Sequence, residues 1–434
     1  MPTSAERLAQ SLQTLNSLGD EAQRIFTQLY PEAAQEAAQA ADQRAARGLS
    51  LGPLDGKLVS IKDLLDVAGQ VTTAGAKMRR QSAPAAQDAP AVQRLRAAGA
   101  VIVGKTNMTE FAFSGVGINP HFGTPGNAAD VLHIPGGSSS GSGVSVGRSL
   151  VDIAIGSDTG GSVRIPAAFN GVTGFKPTQA RVSRDGAFPL SYTLDALGPL
   201  ARTVADCAAA DAIMAGTIPQ ALPPRSLQGL RIGLPQGLPW TDCSAEVLAQ
   251  TEQAIASLQA QGASIRKLAW QDLMAAPAQL QSEGTLIAAE AAAIHQQALV
   301  DTRDAFDPRV LSRMDKGRAL TAPYYIQLLQ QRQQWIARMD AAMQEVDLLL
   351  LPTIAITAPA IAPLLEDDSA FFAANALILR NTSIFNFYDL PAISLPLPRV
   401  AGSLPVGLML VGARMQDANL LALAAAAEQA LAQA

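Results

Sequence analysis

The chain has 434 residues, 48% of them hydrophobic, and a formal net charge of -5. This mildly acidic balance, without basic runs, excludes nucleic acid as the main partner. Two cysteines are too few for a disulfide framework, and two cysteines with three histidines are too few for a cysteine-rich metal site. The sequence therefore predicts no metal and no cofactor.

Targeting segments are not evident in the sequence. The start, MPTSAERLAQSL, lacks the charged and then apolar pattern of a secretory signal. The apolar run over residues 348–365 contains Pro352, Pro359 and Pro363, which break a helix, so it indicates a buried strand and loop rather than a membrane span. We therefore expect a cytoplasmic protein without a membrane partner.

The first half of the chain alternates helical and apolar extended patterns. Residues 4–48 predict packing helices, with Pro31 at a helix start. An apolar strand over residues 58–61 ends at Lys62, and a helix over 91–99 precedes a strand over 101–103. The polar loop 104–125 contains Phe113, a candidate substrate contact. Such alternation is typical of an α/β layered fold.

The second half predicts the same layered fold with an insertion. Strands are predicted over 172–175, 230–233, 347–351, 392–395 and 406–411, helices over 203–215, 244–260 and 417–432, and irregular structure over 181–199. We predict one domain in four parts: N-terminal helices (1–50), a core (51–215), a variable helical cap (219–346) and a C-terminal core (347–434).

Two glycine- and serine-rich clusters, residues 136–143 and 160–162, are joined by a predicted helix and a strand over 151–155. A phosphate-binding loop is a poor interpretation, because the one Walker-type match, GAVIVGKT over 99–106, has a strand between its glycines. A nucleophile elbow fits GSSSG over 137–141, centred on Ser139, but it needs a later histidine. The only one after His133 is His295, inside an ordinary helical pattern.

A lysine can replace the missing histidine base. Burial lowers the pKa of a lysine, and a neutral amine can take the proton of a serine nucleophile. The consecutive backbone N–H groups of DTGGS, residues 158–162, suit a developing oxyanion.

These segments together resemble the amidase signature family. The resemblance rests on Lys62 in VSIKD, on PGGSSSGS over 135–142 and on GSDTGGSVRIPA over 156–167. It also covers 52–75, 99–125, 195–206 and 390–412. It implies an α/β/α sandwich around a large mixed sheet, with the serine loops at its edge.

The resemblance also implies site roles. It makes Ser162 the nucleophile, Ser138 the bridging serine after a cis peptide bond, and Lys62 the base. The further assignments are the oxyanion hole (Thr159, Gly160, Gly161 and Ser162), supporting residues (Ser139, hydrogen-bonded to Lys62, with Asp158 and Arg164) and substrate contacts (Phe113 and Gly137).

The activity implied is hydrolysis of a small-molecule amide to an acid and ammonia or an amine. The resemblance is compatible with a homodimer and leaves the oligomeric state open. The alternatives are a biuret- or urea-type amide hydrolase, the glutamine-hydrolysing subunit of a tRNA-dependent amidotransferase, and an inactive scaffold. No basic cluster in the sequence marks a carboxylate-bearing substrate.

Overall fold

The structure is a computed structural model that describes residues 2–399 and 402–433. Met1 and Ala434 lie outside the described residues. So do Val400 and Ala401, which interrupt the family-like segment 390–412.

Eleven strands in the described part of the chain form one mixed sheet. They are β1 (Phe26–Leu29), β2 (Leu58–Lys62), β3 (Val101–Thr106), β4 (Ile153–Asp158), β5 (Thr173–Lys176), β6 (Ala196–Ala201), β7 (Arg231–Pro235), β8 (Ser264–Leu268), β9 (Leu348–Pro352), β10 (Ala392–Pro396) and β11 (Gly407–Val411). Their order across the sheet is β1-β3-β2-β4-β6-β5-β10-β11-β9-β7-β8. β2 is parallel to both β3 and β4, and β7 to both β8 and β9, whereas the other pairs are antiparallel.

Helices cover both faces of the sheet. They are α1 (Ser4–Leu18), α2 (Asp20–Ile25), α3 (Pro31–Ala46), α4 (Pro90–Ala97), α5 (Ser140–Gly147), α6 (Arg164–Asn170), α7 (Val204–Met214), α8 (Ala245–Ala260), α9 (Gln271–Leu280), α10 (Leu286–Ile294), α11 (Ala298–Asp301), α12 (Pro308–Arg318), α13 (Ala322–Ala342), α14 (Ile361–Glu366), α15 (Asp368–Phe387) and α16 (Asp417–Leu431).

Strand residues divide between separate apolar cores on the two faces. In β9, Leu348 and Leu350 pack into the core that contains α7 and α16, whereas Leu349 and Leu351 pack into the core that contains α13 and α15. Successive strand side chains point to opposite faces, and strands buried on both faces therefore read as unbroken apolar runs. The predicted α/β/α sandwich around a large mixed sheet is confirmed.

Three predicted segments were wrong in detail. The N-terminal part is not helical throughout, because β1 pairs antiparallel with β3. The region 181–199, predicted as irregular, includes the start of β6, which pairs with β4 and β5. The predicted helical cap also supplies β8, the last strand at one end of the sheet, whereas β7 beside it confirms the strand predicted over 230–233. β1, β6 and β8 are short, and only their pairing in the folded chain distinguishes them from loops.

The second serine loop directly follows β4, and the first leads into α5. β2 and β4 are neighbours, the third and fourth strands from one end of the sheet, so the site does not lie at an outermost strand, although the family resemblance implied serine loops at an edge. α5 carries the first loop and packs closely, since a Cβ on Gly141 would lie 2.2 Å from the carbonyl oxygen of Ile25. Glycine is required there by space rather than by backbone angle.

Among the described residues, no helix combines the length and the apolar character that crossing a bilayer requires.

Candidate active site

Lys62 is the last residue of β2 and is completely buried. Its Nζ donates hydrogen bonds to Ser138 Oγ at 2.7 Å and to Ser157 Oγ at 2.8 Å. Within the described chain no carboxylate lies within ion-pair distance of this amine. A buried ammonium group without such a partner is costly.

The pKa of Lys62 reflects this environment. Burial lowers it from 10.5 to about 7, although the negative charges of Asp195 and Asp158 act in the opposite direction. At neutral pH a substantial fraction of Lys62 is therefore the free amine, which can accept a proton.

Ser138 follows a cis peptide bond with Gly137. The Ser138 carbonyl oxygen accepts a hydrogen bond from Thr109 N at 3.0 Å, and Gly137 N donates to Gly115 O at 2.8 Å. A Cβ on Gly137 would lie 2.7 Å from Gly117 N, so this position requires glycine for close backbone packing. That packing holds the hydroxyl of Ser138 against Lys62.

Ser139 does not make the contact expected of it. The second hydroxyl that accepts from Lys62 is that of Ser157, whereas Ser139 Oγ donates to Ser157 O at 3.4 Å. Ser157 belongs to β4, which pairs in parallel with β2, and this pairing brings Ser157 beside Lys62. Its presence in the GSDTGGS segment is visible in the sequence, but its proximity to Lys62 depends on strand order.

Ser162 lies in the turn between β4 and α6 and is 3% exposed. Its carbonyl oxygen accepts from Ser139 N at 3.4 Å, which joins the two serine loops. Across residues 2–399 and 402–433 its hydroxyl makes no hydrogen bond. The Ser162 hydroxyl is thus not engaged elsewhere in the fold.

Asp158 and Arg164 hold the turn that carries Ser162. Asp158 accepts from Gly161 N at 2.8 Å, from Val163 N at 3.2 Å and from Arg164 Nε and Nη2 at 3.0 and 2.9 Å. Burial alone would raise the pKa of Asp158, but the charge and hydrogen bonds of Arg164 bring it down to about 2. The carboxylate therefore stays ionised and tethers the backbone, in agreement with the predicted supporting role.

Two residues of α15 complete this tether and were not identified from the sequence. Asn386 Nδ2 donates to the backbone oxygen of Asp158 at 3.1 Å, and Thr382 Oγ1 donates to Gly160 O at 2.6 Å. Both lie in the segment 380–396, which resembles family members acting on small amides, but spacing along the chain does not indicate contacts with a turn more than 200 positions earlier.

The backbone N–H groups of the turn are not equivalent. The Gly161 N–H is occupied by Asp158, so it is not available to an oxyanion, contrary to the sequence expectation. The N–H groups of Thr159, Gly160 and Ser162 have no acceptor within the described residues. They are the donors that remain for a developing negative charge.

The side chain of Thr159 is held by Asp195 and not by the backbone of the turn. Thr159 Oγ1 donates to Asp195 Oδ1 at 2.6 Å. Asp195 also accepts from the backbone N–H groups of Leu190 and Ser191, and burial raises the pKa of its carboxyl.

Two cavities open beside this constellation. The first, the Ser157 cavity, has a volume of about 360 Å³, and Ser157, Asp195, Ala112 and Tyr192 are among its lining residues. The second, the Thr159 cavity, has a volume of about 410 Å³. Thr159 and Gly160 line it on the side of the turn that carries Ser162, so ligands of small-molecule size can reach this segment.

The two predicted substrate contacts, Phe113 and Gly137, are buried. Phe113 is buried, and its ring lies under the guanidinium group of Arg313, with 4.2 Å from Cζ to the ring centroid. Neither Phe113 nor Gly137 is among the described residues that line the two cavities. Phe113 packs against the guanidinium group of Arg313, and Gly137 packs against the backbone of Gly117.

The histidine side chains contact residues outside the cluster of Lys62 and the serines. His121 Nε2 lies 2.9 Å from the carboxylate of Glu110. His295 packs in an aromatic cluster, 4.1 Å from the Phe111 ring by centroids, and burial lowers its pKa to about 4. The lysine is therefore the candidate base at this site.

Comparisons with known proteins identify the family of the chain. Residues 6–421 match the model of the Amidase family. The chain is 36% identical over 407 residues to a 2-amino-5-chloromuconic acid deaminase of Comamonas testosteroni, covering 92% of this chain and 87% of that protein. It is 35% identical over 431 residues to one subunit of the glutamyl-tRNA(Gln) amidotransferase of Chloroflexus aggregans (strain MD-66 / DSM 9485), with the same coverage. A crystal structure of an amidase superposes with a TM-score of 0.87 at 34% identity, covering 99% of this chain and 96% of that one. The chain is therefore an enzyme that belongs to the amidase signature family of carbon–nitrogen bond hydrolases.

Proposed function

We propose that the protein hydrolyses a small-molecule amide through an acyl-enzyme formed on Ser162, with Ser138 as proton relay and Lys62 as base. The observation that carries this proposal is the buried Lys62 amine, whose pKa is lowered to about 7 and which lies 2.7 Å from the Ser138 hydroxyl. A general base is most effective when its pKa is near the working pH.

The first step forms the acyl-enzyme. Ser162 Oγ attacks the amide carbon as its proton passes to Ser138 Oγ, and the proton of Ser138 passes to the lone pair of neutral Lys62. The contact between the Ser138 and Ser162 hydroxyls must close when substrate binds, as often happens in active sites. Ser157 keeps its hydrogen bond from Lys62 throughout and holds the amine in place.

The tetrahedral intermediate carries its negative charge on the former carbonyl oxygen. The free N–H groups of Gly160 and Ser162 are the donors for that oxyanion. When the carbon–nitrogen bond breaks, the leaving nitrogen takes a proton from Ser138, which regains one from the Lys62 ammonium. Ammonia or an amine leaves, and Lys62 is neutral again.

The second step uses water as the nucleophile. Water gives a proton through Ser138 to Lys62 as its oxygen attacks the acyl carbon. Collapse of the second tetrahedral intermediate breaks the bond to Ser162 Oγ, which is reprotonated through the same relay. The carboxylic acid product is released.

The nucleophile can be tested by labelling with an activated fluorophosphonate, followed by intact-protein mass spectrometry. We expect one adduct on the wild type, none on Ser162→Ala, and an unchanged adduct on Ser139→Ala. Ser139 is the matched control, because the alternative elbow motif would make it the nucleophile. An adduct that survives in Ser162→Ala would overturn the assignment.

The base can be tested by pH dependence and substitution. With Lys62 as base, kcat/KM for a small amide should rise with pH and level off above an apparent pKa near 7. Lys62→Ala should abolish turnover, whereas His133→Gln should not. A histidine variant that folds but is inactive would refute the lysine mechanism.

A second candidate is a partner-dependent glutaminase. It is favoured by the 35% identity to one subunit of a glutamyl-tRNA(Gln) amidotransferase over 92% of this chain. Ammonia release from amides by the isolated chain supports the stand-alone hydrolase. Release from glutamine that appears only when partner subunits are added would support the second candidate. Biuret and urea-type compounds belong in the same panel, because the sequence leaves them open as alternatives.

A further inference from the structure

The Thr159 cavity contains two arginines that are far apart in the sequence. Arg313 lies on α12 and Arg380 on α15, and both line the cavity together with Thr159 and Gly160. The described residues that line it include no aspartate or glutamate. The sequence could not reveal this cluster, because two separate helices must fold against the same turn to form it.

Arg313 uses little of its hydrogen-bonding capacity inside the protein. One N–H group donates to the Phe113 carbonyl oxygen, and the guanidinium plane stacks on the Phe113 ring. A guanidinium has five N–H donors, so up to four remain for a ligand. Stacking and one backbone bond fix its orientation without neutralising its charge.

Arg313 also lacks a counter-ion. In the part of the chain that the structure describes, no carboxylate lies within ion-pair distance of it. Its neighbours on α12 differ, since Arg309 pairs with Asp368 at 2.7 Å and Arg318 with Asp315 at 3.6 Å. Burial lowers the pKa of Arg313 to about 10, which leaves it cationic at neutral pH.

Arg380 adds positive potential to the same cavity. Its guanidinium donates to Thr241 Oγ1 at 3.2 Å, and the nearest carboxylate, Asp242, lies 3.9 Å away with its side chain 81% exposed. Such an exposed partner neutralises a cation only weakly. The cavity is thus cationic on one side and borders the nucleophile turn on the other.

We propose that the Thr159 cavity binds a carboxylate of the substrate, so that the natural substrates are amides that also carry a free carboxylate. This inference rests on the proposed amide hydrolysis for its reaction. Arg313 binds the carboxylate through paired N–H groups, the geometry in which arginine is most selective. Apolar lining residues such as Met274, Ile384 and Phe387 contact the connecting carbon chain.

Matched substrate pairs test the proposal on the wild-type enzyme. Succinamate and glutaramate are compared with 4-oxopentanamide and 5-oxohexanamide, in which a methyl ketone replaces the carboxylate. We expect kcat/KM to be about 10- to 100-fold higher for the acids, the range for hydrogen bonds to a charged group. The preferred chain length would report the distance from Arg313 to the scissile amide. Equal kcat/KM values within each pair would overturn the proposal.

Substitutions then assign the preference to Arg313. Arg313→Gln should bring the acid-to-ketone ratio close to one, mainly through KM, and Arg313→Lys should give an intermediate ratio, because a lysine lacks the paired donors. Arg318→Gln is the control, since it removes one charge from the same helix at a half-exposed ion pair. A ratio that survives in Arg313→Gln, or disappears in Arg318→Gln, would refute the role of Arg313.

Binding separates failure of this proposal from failure of amide hydrolysis. Calorimetry on Ser162→Ala should show at least about tenfold tighter binding of the preferred acid than of its ketone, and the added Arg313→Gln change should abolish the difference. If no amide is hydrolysed and the difference persists, hydrolysis fails and carboxylate binding stands. If amides are hydrolysed and the difference is absent, carboxylate binding fails.

Discussion

Replacement of Lys62 by methionine tests whether this lysine is neutral in the folded enzyme, independently of any substrate. The pKa of buried Lys62 is about 7, compared with 10.5 for a lysine in water. Between these two values the unfolded chain holds a proton on Lys62 that the folded chain does not. The unfolded state then binds more protons, so wild-type stability rises with pH across this interval.

The size of the effect follows from proton linkage. One proton per molecule changes the free energy of unfolding by about 1.36 kcal/mol per pH unit. From about pH 7.5 to about pH 9.5, the wild type should therefore gain about 2.7 kcal/mol relative to Lys62→Met. Methionine has a similar unbranched shape and no charge. The hydrogen bonds to Ser138 and Ser157 that it removes add only a constant, because neither hydroxyl titrates in this range.

The assay is urea denaturation of both proteins at several pH values, followed by subtraction of their unfolding free energies. Groups common to both proteins cancel in the difference. Lys267→Met is the control, since Lys267 is exposed on β8, and its difference from the wild type should stay flat with pH. A flat difference for Lys62→Met as well would mean that Lys62 is charged in the folded state, and the proposed base would be refuted.

Three further predictions concern residues that hold Lys62 and the turn that carries Ser162. Ser157→Ala should lower kcat/KM and move the acid limb of the pH profile to lower pH, because the ammonium form of Lys62 loses a hydrogen-bond acceptor. Ser157→Thr should restore kcat/KM and the position of the acid limb. An unchanged profile in Ser157→Ala would exclude a positioning role for Ser157. Gly161→Ala should lower kcat by about 10²-fold or more, because Gly161 has φ +135° and the new Cβ would lie 2.1 Å from Thr382 Oγ1; wild-type kcat would contradict this. Asp158→Asn should lower the free energy of unfolding by about 3–5 kcal/mol, since it leaves the buried charge of Arg164 without its partner. A decrease below about 1 kcal/mol, measured by calorimetry, would show that the ion pair contributes little.

The sequence by itself determined the fold class and the chemical groups of the site. Its alternation of apolar extended and amphipathic segments predicted an α/β layered fold, because such periodicity is local, and the resemblance to the amidase signature family implied helices on both faces of a large mixed sheet. The motifs around Lys62, Ser138 and Ser162 predicted an amidase signature enzyme, because each motif is short and its glycines and serines are required locally. The family and the fold are confirmed, while the catalytic roles of these residues stay predictions.

Only the tertiary structure decided which groups surround the serines. Ser157, and not Ser139, lies beside Lys62, because β2 and β4 are parallel neighbours. The tether from Asn386 to Asp158 joins residues that are 228 positions apart, and the two cavity arginines come from different helices. A sequence pattern records spacing along the chain, whereas hydrogen bonds, burial and uncompensated charge depend on distances in space, which strand order and helix packing determine.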